Sequence, residues 1–240
     1  RQMCIRDRTL GANTRSEQEK LEQTYRKMKN EELLKKGITL IDKNRIDVRG
    51  ELQAGVDCTI DINVIFEGKV ELGNNVKIGA NTIITNTKIG DNSEILPFSH
   101  IDSSHIGKDC FIGPYARLRE GSEIADGARI GNFVETKKAK IGQSTKANHF
   151  TYLGDAEIGN DVNIGAGTIT CNYDGENKNK TEIGDGSFIG TNSSLIAPVT
   201  IGKNAYVGAG STITKDVPDS SLGISRAKQK NIKDWSKNKK

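Results

Sequence analysis

The chain has little of what a compact globular core is usually built from: of its 240 residues only 5% are aromatic, with one tryptophan and four prolines. No apolar run approaches the roughly 20 residues of a helical membrane span, and residues 1–30 contain no apolar stretch that could serve as a signal-peptide core. Cytoplasmic location without membrane contact is therefore expected. Cys4, Cys58, Cys110 and Cys171 show neither C-x-x-C pairing nor metal-like grouping, so they read as reduced thiols rather than a disulfide framework or a zinc knuckle. One-signed charge is missing too: 35 basic residues are scattered among 31 acidic ones, for a net charge of +4. That balance argues against nucleic acid as a partner and suits small anionic substrates.

What is abundant is glycine, at 26 residues, and its placement is periodic. Large apolar residues recur every sixth position from Ile60 through Phe66, Leu72, Ile78 and Ile84. After single deletions the row continues through Ile89, Ile95, Ile101, Ile106, Ile112, Leu118, Ile124 and Ile130. It resumes at Ile141, Ile158 and Ile164, then runs from Ile183 to Ile213. Glycine often follows directly, as at Gly73, Gly90, Gly107 and Gly142, and a small or β-branched residue stands two places before, as at Cys58, Val64, Ser93 and Ala116. Period six fits neither a helix nor an alternating strand; it fits a coil of three short strands joined by tight corners. The large residue would fill the interior, the small one a corner, and glycine would take strained backbone there. Roughly eight coils follow, about 40 Å of prism at ~4.8 Å per rung.

Two polar, lysine-rich segments interrupt the phase, Asn132–Lys140 and Asn172–Thr181, and in a solenoid insertions of this kind collect on a working face. Before the repeats, Ser16 and Glu19 form an S-x-x-E capping box, Leu21, Tyr25 and Met28 share a helical face, and Gly37 supplies a stop, which predicts one helix over about 17–36. Residues 227–240 form a basic tail carrying Trp235, read as solvated with one anchoring aromatic.

Among the three histidines, His149 lies in a stretch dense in titratable, amide and hydroxyl groups, Lys146-Ala147-Asn148-His149-Phe150-Thr151-Tyr152-Leu153-Gly154-Asp155. Imidazole suits removal of a proton from an amine near neutral pH, so His149 is either a general base or a surface histidine. His100 and His105 could with His149 make a three-histidine zinc site of the γ-type carbonic anhydrase kind, but both immediately precede interior positions, where a surface role is the ordinary one. Arg119 and Lys137 could bind a phosphate, Arg119 as a fork and Lys137 as a point charge.

The hexad pattern resembles that of the hexapeptide-repeat acyltransferases, which implies an all-β left-handed parallel β-helix preceded by one linker helix. Five longer segments, Gly113–Gly121, Gly131–Ala139, Asn148–Gly159, Val162–Lys178 and Leu195–Gly202, resemble the family of bifunctional N-acetylglucosamine-1-phosphate uridyltransferase/glucosamine-1-phosphate N-acetyltransferases. The resemblance implies acetyl transfer from acetyl-CoA to glucosamine 1-phosphate, toward UDP-N-acetylglucosamine and cell-envelope polymers, by a homotrimer whose sites lie between subunits. It implies His149 as general base; Arg119, Lys137, Tyr152 and Asn163 as sugar-phosphate ligands; and Ala166, Asn172, Tyr173, Lys178, Thr191, Ala209 and Arg226 as acetyl-CoA contacts, with Ala166 offering a backbone N–H to the thioester carbonyl. Thr191 stands where the family has serine and keeps the hydroxyl. No metal is implied for acetyl transfer.

The same resemblance makes residues 1–15 the remnant of a uridyltransferase domain, in which Asn13 is an orphan of the magnesium site, with residues 1–8 an uninterpreted scar. Residues 16–37 become the linker helix, 38–226 the acetyltransferase domain and 227–240 the tail. A non-catalytic hexapeptide scaffold is the remaining alternative.

Overall fold

A computed structural model describes residues 11–238, so the expectations for residues 1–10, Cys4 included, and for 239–240 lie outside the described residues. The chain winds into a left-handed parallel β-helix of about 10 turns, more than the hexad count gave because winding already begins at Thr39–Leu40. Among the described residues twenty-four strands form one continuous wrapped sheet, and register mostly advances 18 or 17 residues per turn, as in Thr59↔Lys77 and Lys77↔Glu94, but 25 at Ala156↔Thr181. Four strands are long enough to turn corners: β1 (Ile46–Ala54), β2 (Val64–Leu72), β3 (Arg129–Ile141) and β4 (Lys146–Ile158).

Three interior rows define three faces. Face one carries Ile60, Ile112, Ile130, Ala147 and Ile164; face two carries Phe66, Leu118 and Leu153; face three carries Leu72, Ile124 and Ile158, and all of these are buried. The small-residue row is buried as well, from Cys58 and Ser93 to Ala205, so both rows fill the prism. Burying one such Ile contributes about 1.5–3 kcal/mol, and the row repeats that gain rung after rung.

The backbone divides the corner work differently from expectation. The left-handed residue stands three places before the interior one and is mostly Asn or Asp, as at Asn75 (φ 55), Asn92 (φ 59) and Asp109 (φ 56), the side chains that tolerate that region best after glycine. The glycine after the interior residue serves close approach instead: a Cβ added at Gly90 would lie 2.6 Å from the carbonyl carbon of Gly107 on the next turn.

Segment 132–140 is not an insertion. It lies within β3, whose register with β4 runs from Arg129↔Lys146 to Ile141↔Ile158, and its interior position is held by Thr136. The Thr136 hydroxyl is satisfied by that of Ser122 at 2.8 Å, so a polar residue occupies the core without breaking the coil. Asn172–Thr181 is a true excursion from the solenoid, following Thr170, another buried interior threonine.

Helix α1 spans Arg15–Lys35. Its capping box is Thr14 with Glu17, two residues earlier than predicted, and the Glu17 carboxylate also accepts the Asn13 amide. Those backbone hydrogen bonds, from Asn13 first, hold Glu17 below the ordinary carboxylate range. Gly37 (φ 84) ends the helix as expected, with Ile38 donating to the Leu33 carbonyl and packing beside it in the core. The helix docks by its C-terminal end, through Leu33 and the buried Asn30, whose amide donates to the Lys43 and Ile46 carbonyls. Tyr25, on the expected stripe, is exposed. Past Leu222–Gly223 the chain stays bound to the solenoid through Ser225 and Arg226 and then leaves it; Trp235, expected as an anchor, is 60% exposed and opens a 3-10 turn.

Candidate functional site

The edge between faces one and two is built from the residue two places after each face-one interior position. From Ile130, Ala147, Ile164, Ile189 and Val207 this gives Asn132, His149, Ala166, Thr191 and Ala209, one per turn. Four of the predicted functional residues therefore stand in one column, although the sequence separates His149 from Ala209 by three turns and an excursion. Backbone rungs fix the spacing: Gly167 donates to Phe150, Asn192 to Ala166, and Gly210 to Thr191, at 2.7, 2.7 and 2.8 Å. At ~4.8 Å per rung, His149 to Ala209 covers about 14 Å. Arg226 joins the column from beyond the last hexad by donating its guanidinium to the Ala209 carbonyl.

The column offers backbone hydrogen-bond donors and one imidazole. Among the described residues the amide N–H groups of Ala166, Thr191 and Ala209 find no acceptor, so they are available to a ligand laid along the edge. The exposed His149 ring has its Nδ1 3.1 Å from the Asn132 Oδ1, and the Thr151 hydroxyl donates to the His149 carbonyl at 2.8 Å.

Face two beside this edge carries the sugar-phosphate candidates. Arg119 follows interior Leu118, Lys137 follows Thr136, and Tyr152 precedes Leu153 on adjoining turns. Glu135 lies between them in register with Arg117 and Tyr152, and accepts from Arg119 Nη1 at 2.8 Å. That bond raises the Arg119 guanidinium further above its ordinary range. Lys137 is mostly covered, its side chain 18% exposed and its Nζ 3.8 Å from Glu120. Tyr152 lies across Gly154, where an added Cβ would strike its ring. Asn163 is different: it sits on face one, in register with Lys146 and Phe188, across the edge from Tyr152.

The excursion after Cys171 leaves from the opposite edge of face two. Its root is the nearly buried Asn172, whose side-chain amide donates to Asp155 and whose carbonyl accepts from Asn179 at 2.7 Å. Tyr173 and Lys178 pair as an antiparallel bridge, and the Asp174 carboxylate accepts from Glu176 N, Asn177 N and Asn179 Nδ2. The Asn177 and Glu176 amides, in that order, hold Asp174 below the ordinary carboxylate range. Lys178 lines a cavity of about 310 Å³ with Lys138, Lys140, Asp155 and Lys180. Asn172, Tyr173 and Lys178 are thus one face's width away from the His149 column within a single chain.

The zinc alternative loses its geometry here. His100 projects from face two and His105 from face three, on separate faces of the prism. Asn13 stands at the start of α1. Sequence reasoning missed Asn132 and the contacts that Glu135, Gly154 and Asp155 make; the signal for Asn132 was its spacing of one turn, 17 residues, from His149.

Two family models match parts of the chain. "Bacterial transferase hexapeptide (six repeats)" matches residues 103–138 and 180–215, and "Hexapeptide repeat of succinyl-transferase" matches residues 55–86 and 69–95. The bifunctional protein GlmU of Idiomarina loihiensis is 56% identical over 225 residues, 94% of this chain and 49% of that protein. That of Aromatoleum aromaticum is 51% identical over 227 residues, 95% of this chain and 50% of that protein. The chain spans about half the length of the curated relatives it matches. Among solved structures it is distantly similar to an Arabidopsis UDP-N-acetylglucosamine acyltransferase, at 18% identity over 78% of this chain and 70% of that one, with a TM-score of 0.40.

Proposed function

Because the chain belongs to the hexapeptide-repeat transferases and is a relative of the bacterial bifunctional protein GlmU, we propose that it transfers acetyl from acetyl-CoA to the 2-amine of glucosamine 1-phosphate. The product, N-acetylglucosamine 1-phosphate, would feed UDP-N-acetylglucosamine and envelope polymers. One observation carries the reading: His149 stands one turn from Ala166 on the same edge, and the Ala166 amide N–H finds no acceptor among the described residues. That spacing supports the reading, because acyl transfer to an amine needs a base and an oxyanion donor close together.

In this reading acetyl-CoA lies extended along the column, its pantetheine arm on the Thr191 and Ala209 amides and Arg226 toward the nucleotide end. Arg119 and Lys137 hold the sugar phosphate, and Tyr152 and Asn163 the ring. His149 takes the proton from the ammonium form as the nitrogen attacks the thioester carbonyl. The new C–N bond pushes charge onto the carbonyl oxygen, where Ala166 N–H receives it. Collapse breaks the C–S bond; the sulfur takes up the proton that the adduct nitrogen sheds and leaves as the coenzyme A thiol, and the His149 imidazolium returns its proton to solvent. No step calls on a metal.

We infer a homotrimer, because a single chain leaves the site divided: Asn163 lies across the edge from Tyr152, and Asn172, Tyr173 and Lys178 lie on the far edge of face two. A neighbouring copy offering its excursion to the His149 column completes it. Mass by light scattering tests this, with three chains expected and a fully active monomer contradicting it. Acetyl-CoA as donor supports a cytoplasmic location, and no described helix is long and apolar enough to cross a membrane. The activity itself is tested by coenzyme A release from acetyl-CoA dependent on glucosamine 1-phosphate. Failure to release thiol would leave the scaffold alternative standing.

A further inference from the structure

We propose that Asn132 is a positioning residue that fixes the tautomer of His149, so that the unprotonated nitrogen presented to the substrate amine is Nε2. The inference rests on the acetyl-transfer reading and adds a residue to it.

The Asn132 Oδ1 lies 3.1 Å from His149 Nδ1. An amide oxygen only accepts, so the proton of the neutral ring sits on Nδ1 and the lone pair on Nε2. The opposite tautomer would set two acceptors against each other. When Nε2 takes the amine proton, the Nδ1–H bond to Asn132 persists and the imidazolium needs no rearrangement. Asn132 stays neutral throughout, so it orients the base without adding a charge that would hold the proton after coenzyme A has left.

The pair is built into the solenoid. Asn132 and His149 are register partners inside β3 and β4, which stay paired on both sides of them. Gly131, just before Asn132, lets the strands close up: a Cβ there would overlap the Asn148 carbonyl. The His149 backbone is pinned in turn by the Thr151 hydroxyl, and Thr151 is only 4% exposed. After each partner the chain turns through left-handed backbone at Phe133 (φ 55) and Phe150 (φ 40), whose side chains are exposed. No ion pair reaches His149 among the described residues, which leaves Asn132 as its only side-chain partner.

The test compares Asn132→Leu, isosteric but unable to accept, with Asn132→Asp, which keeps an acceptor oxygen. Asn132→Leu is expected to lower kcat about 10- to 100-fold, part of the ~10²- to 10⁴-fold that a general base supplies, with KM for glucosamine 1-phosphate and the melting temperature unchanged. Asn132→Asp is expected to restore kcat to within a few-fold and to move the acidic limb of the pH–rate profile upward, since a carboxylate favours the imidazolium. Nitrogen-15 shifts of the labelled imidazole should report the Nδ1–H tautomer in the wild type. An Nε2–H tautomer, an Asn132→Leu variant of wild-type kcat, or an Asn132→Asp variant as impaired as Asn132→Leu would overturn the inference. Wild-type activity of His149→Ala would instead overturn the acetyl-transfer reading, so the two failures are distinct.

Discussion

The Asp155 carboxylate accepts a hydrogen bond from the Asn172 side-chain amide and so ties the root of the only long excursion among the described residues to the solenoid one turn before it. Asn172 is 7% exposed, and an amide that deep without its acceptor costs about 1–3 kcal/mol. Asp155→Ala should therefore loosen the excursion while the prism stays intact. The expected reading is a several-fold higher KM for acetyl-CoA and faster proteolysis between residues 172 and 180. An unchanged KM would separate this excursion from the acetyl-CoA site.

Arg119 stands one turn before β3 and Lys137 lies within it, and if they hold a phosphate their removal should be felt only by a substrate that has one. Charge-assisted contacts of this kind contribute about 1.5–3 kcal/mol. Arg119→Ala and Lys137→Ala should each raise KM for glucosamine 1-phosphate by about 10- to 100-fold and leave the slow reaction with glucosamine nearly unaffected. Equal losses on both substrates would assign these side chains to structure instead.

Two glycines of different kind should respond differently to alanine. At Gly131 the new methyl would overlap the Asn148 backbone, so β3 and β4 must part at the Asn132–His149 pair, costing roughly 1–3 kcal/mol or more. At Gly210 (φ 71) nothing lies within 4 Å, and only the left-handed conformation is penalised, at about 1–2 kcal/mol. Gly131→Ala should lower both stability and kcat, and Gly210→Ala stability alone. Equal kcat losses would contradict the close-approach account.

Burial pushes the thiols of Cys58 and Cys110 up, so thiolate is scarce at neutral pH and reagent access is closed as well. Mass spectrometry after alkylation of the folded protein at pH 7–8 should find both unmodified, and both modified after denaturation. Native labelling at either would mean that the prism opens far more readily than its packing implies.

Much of the fold was legible because the interior demands one large side chain per hexad and little else. It failed where the interior is polar. Thr136, its hydroxyl on Ser122, and Thr170, its hydroxyl on the Gly154 carbonyl, keep the coil in phase, yet they do not register in a frame built on large apolar residues. So β3 read as an insertion. The corner glycines were visible, but their reason was not, since close approach of the next turn leaves no local trace in sequence. His149 was singled out by its polar neighbourhood, and Ala166, Thr191 and Ala209 by resemblance; that Asn132, His149, Ala166, Thr191 and Ala209 form one column follows only once turns of 17, 18 and 25 residues are aligned in space. The pairing of Asp155 with Asn172 depends on where the excursion folds back, which no periodicity encodes.

The most direct measurement is coenzyme A release from acetyl-CoA and glucosamine 1-phosphate by the wild type and by His149→Ala, with melting temperatures taken on the same preparations. His149 fills no interior position and is exposed, so its loss should leave the melting temperature in place. The account predicts glucosamine 1-phosphate-dependent release by the wild type and a fall of about 10²- to 10⁴-fold in the variant. Release by His149→Ala at near the wild-type rate, with the fold unchanged, would contradict it.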